Sequence, residues 1–346
     1  NTAVGYQALT NFTTTGGITA IGTQALTSNT SGVNTAVGYN ALASTTTHTQ
    51  NTALGYLAGT NLIANNNVAI GHQASNQGTS ATGNVSVGYR ALRYNVTGDY
   101  NIAIGQETLA GSSGNSHSHN VAIGHQVMVS STVSNTVAIG YHALRSLTSG
   151  TGNTAIGYRA AYSATDSVAS AVAIGYEAMY PNTDSTGNVA IGYFAMRSGV
   201  GGANRNYNIA IGQEAMRNAN PHVSIAIGTY AGYYLKDGAT GAVYIGHNAG
   251  TYVTGSENTF IGYESGKGGV TSAPYSTAIQ NTGVGYQTLK SLTSGTRNTA
   301  VGKGALEDVT SGQYNTSLGF NAGANITTGG ANISIGHQVG VRITDG

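Results

Sequence analysis

A repeat of about 17 residues runs through the whole chain and limits its fold more than any other feature. Its consensus is Asn-Thr/Val-Ala-Ile/Val-Gly-Tyr-x-Ala-Leu, followed by a polar run of about eight residues. Three coils are longer than the others and span residues 105–124, 192–212 and 262–285. The motif glycine recurs twenty times, at Gly5, Gly22, Gly38, Gly55, Gly71, Gly88, Gly105, Gly124, Gly140, Gly157, Gly175, Gly192, Gly212, Gly228, Gly246, Gly262, Gly285, Gly302, Gly319 and Gly336.

We number each slot of the repeat from the motif glycine, so that slot −2 holds the residue two before it. Slot −3 holds Thr, Val or Ile, slot −2 is usually Ala, and slot −1 holds Val, Ile or Leu. This alternation has the period of a β-strand, whereas the polar runs consist of turn formers without helical periodicity. Strands that recur at a fixed spacing obtain a core by stacking on their neighbours. The sequence therefore predicts an all-β, parallel β-solenoid of about 20 coils.

The repeat also predicts which columns of residues stack. We expect the β-branched and aliphatic columns to face inward, and the small Ala and Gly column to face outward and pack against another copy of the chain. Alternatively, Ala and Gly fit a narrow coil interior. Asn in slot −4 is expected to form a hydrogen-bonded ladder. Tyr or His in slot +1 is expected to form an aromatic ladder, used for packing or, alternatively, for binding sugar.

Composition excludes several other classes of protein. The chain is 40% hydrophobic with a formal net charge of +1, which is not the balance of a disordered chain. Its 13 basic residues are spread thinly along the sequence, so no nucleic-acid partner is predicted. It has no Cys, hence no disulfide or thiolate metal site. No apolar run is long enough for membrane insertion.

The whole chain resembles a known group of fibrous proteins. The runs at residues 120–124, 188–192 and 208–212, such as Asn-Val-Ala-Ile-Gly, resemble the head repeats of YadA-like trimeric autotransporter adhesins, and the runs at 34–39 and 298–302 are similar to repeat shafts of phage tail fibres. The resemblance implies a left-handed parallel β-roll, assembled as an intertwined or side-by-side homotrimer. The coils are longer than the shorter autotransporter repeats, and neither stalk, anchor nor terminal chaperone is recognised.

Residues 1–346 are interpreted as a single repeat domain. Because the first residue falls inside a repeat, we expect this domain to be a window from a longer fibre protein, joined to adjoining fibre segments. The predicted location is extracellular, on a virion tail fibre or a bacterial surface. The predicted function is a structural shaft or head that mediates attachment to cells, with a host cell-surface glycan as a partner.

Little in the sequence points to chemistry. The 12 acidic residues show no pair spaced for glycoside hydrolysis, so no enzyme, catalytic residue or cofactor is predicted. His117 and His119, on a three-fold axis, would offer six imidazoles to a metal, but histidines in a polar loop are usually solvated and no metal site is predicted. The alternatives are an ice-binding solenoid and a polysaccharide-degrading, tailspike-like fibre.

Receptor contacts in a uniform shaft are expected where the period breaks, because loops that interrupt a scaffold often carry binding residues. The candidates are Arg205 and Tyr207 in the coil 192–212, and Lys267 and Tyr275 in the coil 262–285. Alternatively, both coils are tolerated insertions in a passive shaft.

Overall fold

A computed structural model of the chain describes residues 1–14, 16–111, 116–164, 168–181, 186–197, 206–236, 239–269, 272 and 275–340. These residues contain twenty short strands and no helix, and the chain divides into two units, Asn1–Ser170 and Ala171–Gly346. Accordingly, no described segment is a helix that would span a bilayer.

Each unit contributes ten strands, nearly all of three residues, and each strand ends one residue before a motif glycine. In the first unit they are β1 Thr2–Val4, β2 Thr19–Ile21, β3 Asn34–Val37, β4 Asn51–Leu54, β5 Val68–Ile70, β6 Val85–Val87, β7 Ile102–Ile104, β8 Val121–Ile123, β9 Val137–Ile139 and β10 Thr154–Ile156. In the second unit they are β11 Val172–Ile174, β12 Val189–Ile191, β13 Ile209–Ile211, β14 Ile225–Ile227, β15 Val243–Ile245, β16 Thr259–Ile261, β17 Thr282–Val284, β18 Thr299–Val301, β19 Thr316–Leu318 and β20 Ile333–Ile335.

Consecutive strands within each unit pair in parallel, and the repeat sets their register. Between β1 and β2, for example, Ala3 lies opposite Ala20 and Val4 opposite Ile21. The motif glycines stack as well, since a Cβ on Gly5 would lie 2.5 Å from the carbonyl oxygen of Gly22 in the next coil. The predicted parallel β-solenoid is confirmed.

The predicted direction of the strand side chains is wrong. Slot −2 points into the coil, and its residues Ala20, Ala36 and Ala53 are fully buried. Slots −3 and −1 point outward and are half-buried or exposed in every strand of both units after β1. The alternative that small residues fit a narrow coil interior is the correct one for the single chain.

Two successive turns explain why this interior requires a small residue. In the second coil, Ala25 N–H donates to the carbonyl of Gly22 at 3.3 Å, and Asn29 N–H donates to that of Leu26 at 3.1 Å. Leu26, in slot +4, adopts a left-handed φ of 49° and is fully buried with Ala20 in one apolar cluster. The coil core is therefore filled from the turn, and the strand opposite it has room only for Ala.

In two coils of the second unit, the large side chain is in slot −2 and the small residue is in slot +4. Tyr244 and Phe260 replace Ala in slot −2, are fully buried and stack with ring centroids 5.4 Å apart. Their own coils carry Gly250 and Gly266 in slot +4, where Leu or Met is usual. A Cβ on Gly250 would lie 2.6 Å from the Tyr244 ring, and one on Gly266 would lie 2.2 Å from the Phe260 ring. The large residue thus occupies the volume that Leu fills elsewhere.

The column of Asn in slot −4 forms the predicted ladder. Both the backbone N–H and the side-chain Nδ2 of Asn298 donate to Oδ1 of Asn281 in the preceding coil, each at 3.0 Å. Nδ2 of Asn298 also donates to the carbonyl of Gly312 at 2.8 Å. Most of these Asn side chains are buried, so the ladder satisfies polar groups that would otherwise be costly to bury.

Candidate functional site

The outward side of the strands is the largest candidate surface. We call it the sheet face; it consists of slots −3, −1 and +1. Ile102 and Ile104 are each 38% exposed and Leu54 is 48% exposed. Among all the residues in these three slots, only Lys303 carries a formal charge at neutral pH. Each unit therefore presents a continuous apolar and aromatic strip to its surroundings.

The predicted aromatic ladder lies along this face. Tyr39 and Tyr56 stack with ring centroids 5.3 Å apart and 12° between their planes, and His72 continues the stack 5.0 Å from Tyr56. In the second unit, Tyr263 and Tyr286 stack at 5.3 Å. The ladder has its rings partly exposed, so the geometry is suitable both for packing and for ligand contact.

Of the two receptor candidates in the coil 192–212, the structure describes Tyr207. Arg205 lies outside the described residues. Tyr207 is 59% exposed, but it occupies slot −5, a regular position with a left-handed φ that Tyr100 and Tyr314 also occupy. Its ring lies over Gly187, where a Cβ would be 2.8 Å away. Tyr207 is thus part of the ordinary coil and not of the insertion.

Lys267, the third candidate, is held by a carboxylate. Its Nζ lies 2.7 Å from Oε1 of Glu264, while Nζ of Lys290 lies 3.3 Å from Oε2 of the same residue. Burial alone would raise the pKa of Glu264, but hydrogen bonds from Lys267, Gln287 and Lys290 outweigh it and lower this pKa to about 2. Glu264 thus links Lys267 of its own coil to Lys290 of the next coil, and Lys267 forms an ion pair within the solenoid.

Tyr275, the fourth candidate, anchors the longest coil to a cluster of tyrosines. Its ring stacks on Tyr234 with centroids 4.1 Å apart and lies 6.1 Å from Tyr252. Tyr234 and Tyr252 also line a groove of about 290 Å³ with Tyr230, Tyr233, Asn248 and Thr251. Hydrogen bonding to Tyr275 and burial raise the pKa of Tyr234. The rings of this cluster mostly contact one another, as in a packing cluster.

The two histidines considered for metal binding differ in their exposure to solvent. His119 is exposed and its ring lies 5.5 Å from that of Tyr100, whereas His117 is fully buried. Both ring nitrogens of His117 lack a hydrogen-bond partner, so the expectation of a solvated side chain is wrong for this residue. Among the described residues, no group of three potential ligands is suited to a metal.

The burial of His117 predicts sensitivity to acid. Desolvation lowers the pKa of His117 from 6.5 to about 4. The unfolded chain therefore binds more protons than the folded chain between these values, and stability falls as the pH drops through this interval. We expect a loss on the order of 3 kcal/mol between pH 7 and pH 4 from this residue. Urea unfolding of the chain at several pH values measures it.

The matched variant for this measurement is His117→Val, because Val133 occupies the equivalent slot −7 in the next coil and is buried. It is expected to keep its stability as the pH falls, apart from the contribution of other groups such as His142. Equal pH dependence of the two proteins would contradict the assignment.

Sequence reasoning missed one further site. Arg145 is far from Arg90 and Arg93 along the chain, yet all three line a groove of about 350 Å³ together with Tyr94 and Glu107. The slot numbers indicate this grouping in the sequence, because Arg93 and Arg145 both occupy slot +5 and Arg90 occupies slot +2. Arg90 pairs with Glu107 of the next coil, with 3.8 Å between Nη1 and Oε1.

Comparisons with known proteins do not assign the chain to a family. No protein-family model and no curated protein sequence matches it.

Proposed function

We propose that this chain is a non-enzymatic structural part of an extracellular or virion fibre that mediates attachment to cells, built as a homotrimer of left-handed solenoids. The handedness, the three-fold assembly and the location rest on the resemblance of the repeats to trimeric adhesin heads and phage tail-fibre shafts.

The observation that carries the proposal is the sheet face. An exposed apolar strip that continues from coil to coil is much larger than the isolated apolar patches of a monomeric protein, and such strips mark contact surfaces. Ile123 and Ile139 lie on adjacent strands of this strip, in slot −1. Since identical coils repeat along the chain, another copy of the same chain offers a matching strip, and cyclic assembly buries all copies equally.

Mass measurement tests the assembly. Under native conditions the particle is expected to weigh three times the 34.9 kDa of the chain. The double variant Ile123→Glu/Ile139→Glu places two carboxylates on the sheet face and is expected to be monomeric, because uncompensated charge is costly to bury. The control Thr46→Glu/Thr47→Glu places two carboxylates on an exposed turn and is expected to remain trimeric. A monomeric unmodified chain would contradict the trimer.

Adsorption of the labelled chain to a panel of bacterial cells tests attachment separately. The proposal expects saturable adsorption to some of these cells. Absence of adsorption to all of them would limit the role of the chain to that of a shaft.

Ice binding is a second candidate, because slot −3 proves to face outward. Thr2, Thr19, Thr35 and Thr52 follow one another along β1 to β4, with no charged residue anywhere in residues 1–89. Val or Ile replaces Thr in this column from β5 to β9 and from β11 to β15, which favours packing over ordered water along these strands. Thermal hysteresis of the purified chain decides whether the Thr run has this activity.

A further inference from the structure

The first unit has few basic residues, and all of them lie on the turn that follows the sheet face. Residues 1–89 contain no Asp, Glu, Lys or Arg. The four basic residues of the first unit all occupy slot +2 or slot +5, on the turn that follows the sheet face; they are Arg90, Arg93, Arg145 and Arg159. Neutral amides and hydroxyls keep the rest of this chain soluble, so solubility does not explain why the four arginines are grouped in two slots.

Three of these arginines line the groove of about 350 Å³. Arg90, Arg93 and Tyr94 come from the coil of Gly88, and Arg145 comes from the coil of Gly140, three coils further on. At the usual spacing of neighbouring strands, these coils are about 14 Å apart. The two intervening coils have only Ala110 and Val129 in slot +5, which leaves an open floor between the guanidinium groups.

The positive charge of the three arginines in the groove is only partly neutralised by acidic residues. Among the described residues that line it, Glu107 is the only acidic one. It lies 3.8 Å from Arg90 and also accepts a hydrogen bond from Gln126 at 2.8 Å. Arg145 donates to neutral groups, Gln126 and the hydroxyl of Tyr162. Nε of Arg93 is buried without a hydrogen-bond partner, and Arg93 forms no ion pair with any residue that the structure describes.

We propose that this groove binds an anionic polysaccharide, with the carboxylate or phosphate groups of the polymer on Arg93 and Arg145. This proposal rests on the attachment function proposed above and names the ligand class of that function. A guanidinium is suited to both anions because its planar fork donates two parallel hydrogen bonds. The side chain of Val129 offers apolar surface to the C–H groups of a sugar, and the guanidinium of Arg93 lies over the ring of Tyr94, 4.6 Å from its centroid.

Nucleic acid fits the groove less well. Its affinity comes from a long track of neutralised phosphates, whereas this edge of the first unit carries four arginines in total and pairs one of them with Glu107. A polysaccharide needs only to place one anionic group at each end of the groove, on Arg93 and on Arg145.

Calorimetry on the full chain at low salt tests the proposal with defined polymers. Polygalacturonate presents carboxylates, poly(glycerol phosphate) presents phosphates, dextran is the neutral reference and single-stranded DNA represents nucleic acid. We expect polygalacturonate or poly(glycerol phosphate) to bind at least about tenfold more tightly than dextran, with an affinity that falls as salt rises. Which of them binds distinguishes carboxylate from phosphate recognition. Equal binding to dextran, or tighter binding to DNA, overturns the proposal.

The variant Arg93→Gln/Arg145→Gln is expected to lose about tenfold or more of that affinity. The control Arg297→Gln removes an exposed arginine of the second unit, which contacts Gln280 and Tyr314, and is expected to bind as the unmodified chain does. Val129→Glu adds a carboxylate to the floor of the groove without removing an arginine, so loss of binding in this variant is not due to a lost arginine contact. Unchanged binding in both groove variants overturns the assignment.

The failure of this proposal is distinguishable from failure of the attachment function. If the chain adsorbs to cells and the groove variants adsorb equally well, the groove is not the contact, although attachment stands. If the chain binds the soluble polymer through the arginines but adsorbs to no cells, the groove stands and the attachment function fails.

Discussion

Replacing Tyr244 with Ala is expected to lower the unfolding free energy of the second unit by about 3–5 kcal/mol, and adding Gly250→Leu is expected to restore more than half of that loss. Tyr244 is fully buried, and the single substitution leaves a cavity where its ring stacked on Phe260. Leu in slot +4 would fill this cavity from the turn, as Leu42 and Leu92 do in their coils. Denaturant unfolding of the three proteins measures the restoration.

The backbone at position 250 permits this exchange. Gly250 has a φ of 61°, and Leu42 and Leu92 adopt φ values of 50° and 52° in the same slot. Gly250→Leu alone is expected to destabilise, because its Cβ would lie 2.6 Å from the ring of Tyr244. Additive effects of the two substitutions would contradict the exchange of volume between these slots.

Tyr244→Phe is the control for the hydroxyl. The Tyr244 hydroxyl is buried and forms no hydrogen bond of good geometry, its polar neighbour being the side chain of Asn258, and Phe260 occupies the same slot in the next coil. The phenylalanine variant is therefore expected to be at least as stable as the unmodified chain. A large loss would show that the hydroxyl, and not the ring volume, stabilises this coil.

The period of the repeat was sufficient to predict the strands, their parallel register and the Asn ladder, because each of these depends only on identical residues recurring at the same slot. The direction of the side chains was not predictable from alternation alone. Alternation shows that slots −2 and −1 face opposite sides, but not which side is the interior. That choice depends on Leu or Met in slot +4, which fills the core and leaves space only for Ala.

The exchange of side-chain size between Tyr244 in slot −2 and Gly250 in slot +4 shows which side of the strand faces the interior. Two slots that trade size within one coil are in contact, and slot −2 must then face the interior together with slot +4. Ser317 with Gly323 repeats the pattern, since a Cβ on Gly323 would lie 2.7 Å from Oγ of Ser317. These coils indicate the orientation from the sequence. The coils of Gly55 and Gly228 do not, because both slots are small there and side chains of adjacent coils, Leu42 and Tyr244, fill the space.

The receptor candidates in the long coils stay predictions. The structure shows their contacts within the chain: Tyr275 stacks on Tyr234, and Lys267 pairs with Glu264. The arginine groove was missed because 52 residues separate Arg93 from Arg145 in sequence. A solenoid places every third coil within about 15 Å, so surface charge must be read by slot and not by sequence distance.

Gly88→Ala is expected to destabilise the first unit by more than about 3 kcal/mol, a larger effect than a single lost contact. Gly88 has a φ of 133°, outside the left-handed region that Asn or Leu adopts in the turns. Its Cβ would lie 2.5 Å from the carbonyl oxygen of Gly105 in the adjacent coil. Because that oxygen belongs to the stacked backbone, relief of the clash requires the two coils to separate.

Gly17→Ala is the matched control within the same unit. A Cβ on Gly17 would contact only Cγ1 of Val33, at 3.6 Å, and Gly17 has no positive φ. This variant is expected to change the unfolding free energy by less than about 1 kcal/mol. Hydrogen exchange places the effect: Gly88→Ala is expected to lose protection first at the amides of β6 and β7, whereas Gly17→Ala keeps it. An unchanged denaturation midpoint for Gly88→Ala would contradict the view that close stacking of glycine backbones restricts this slot to glycine.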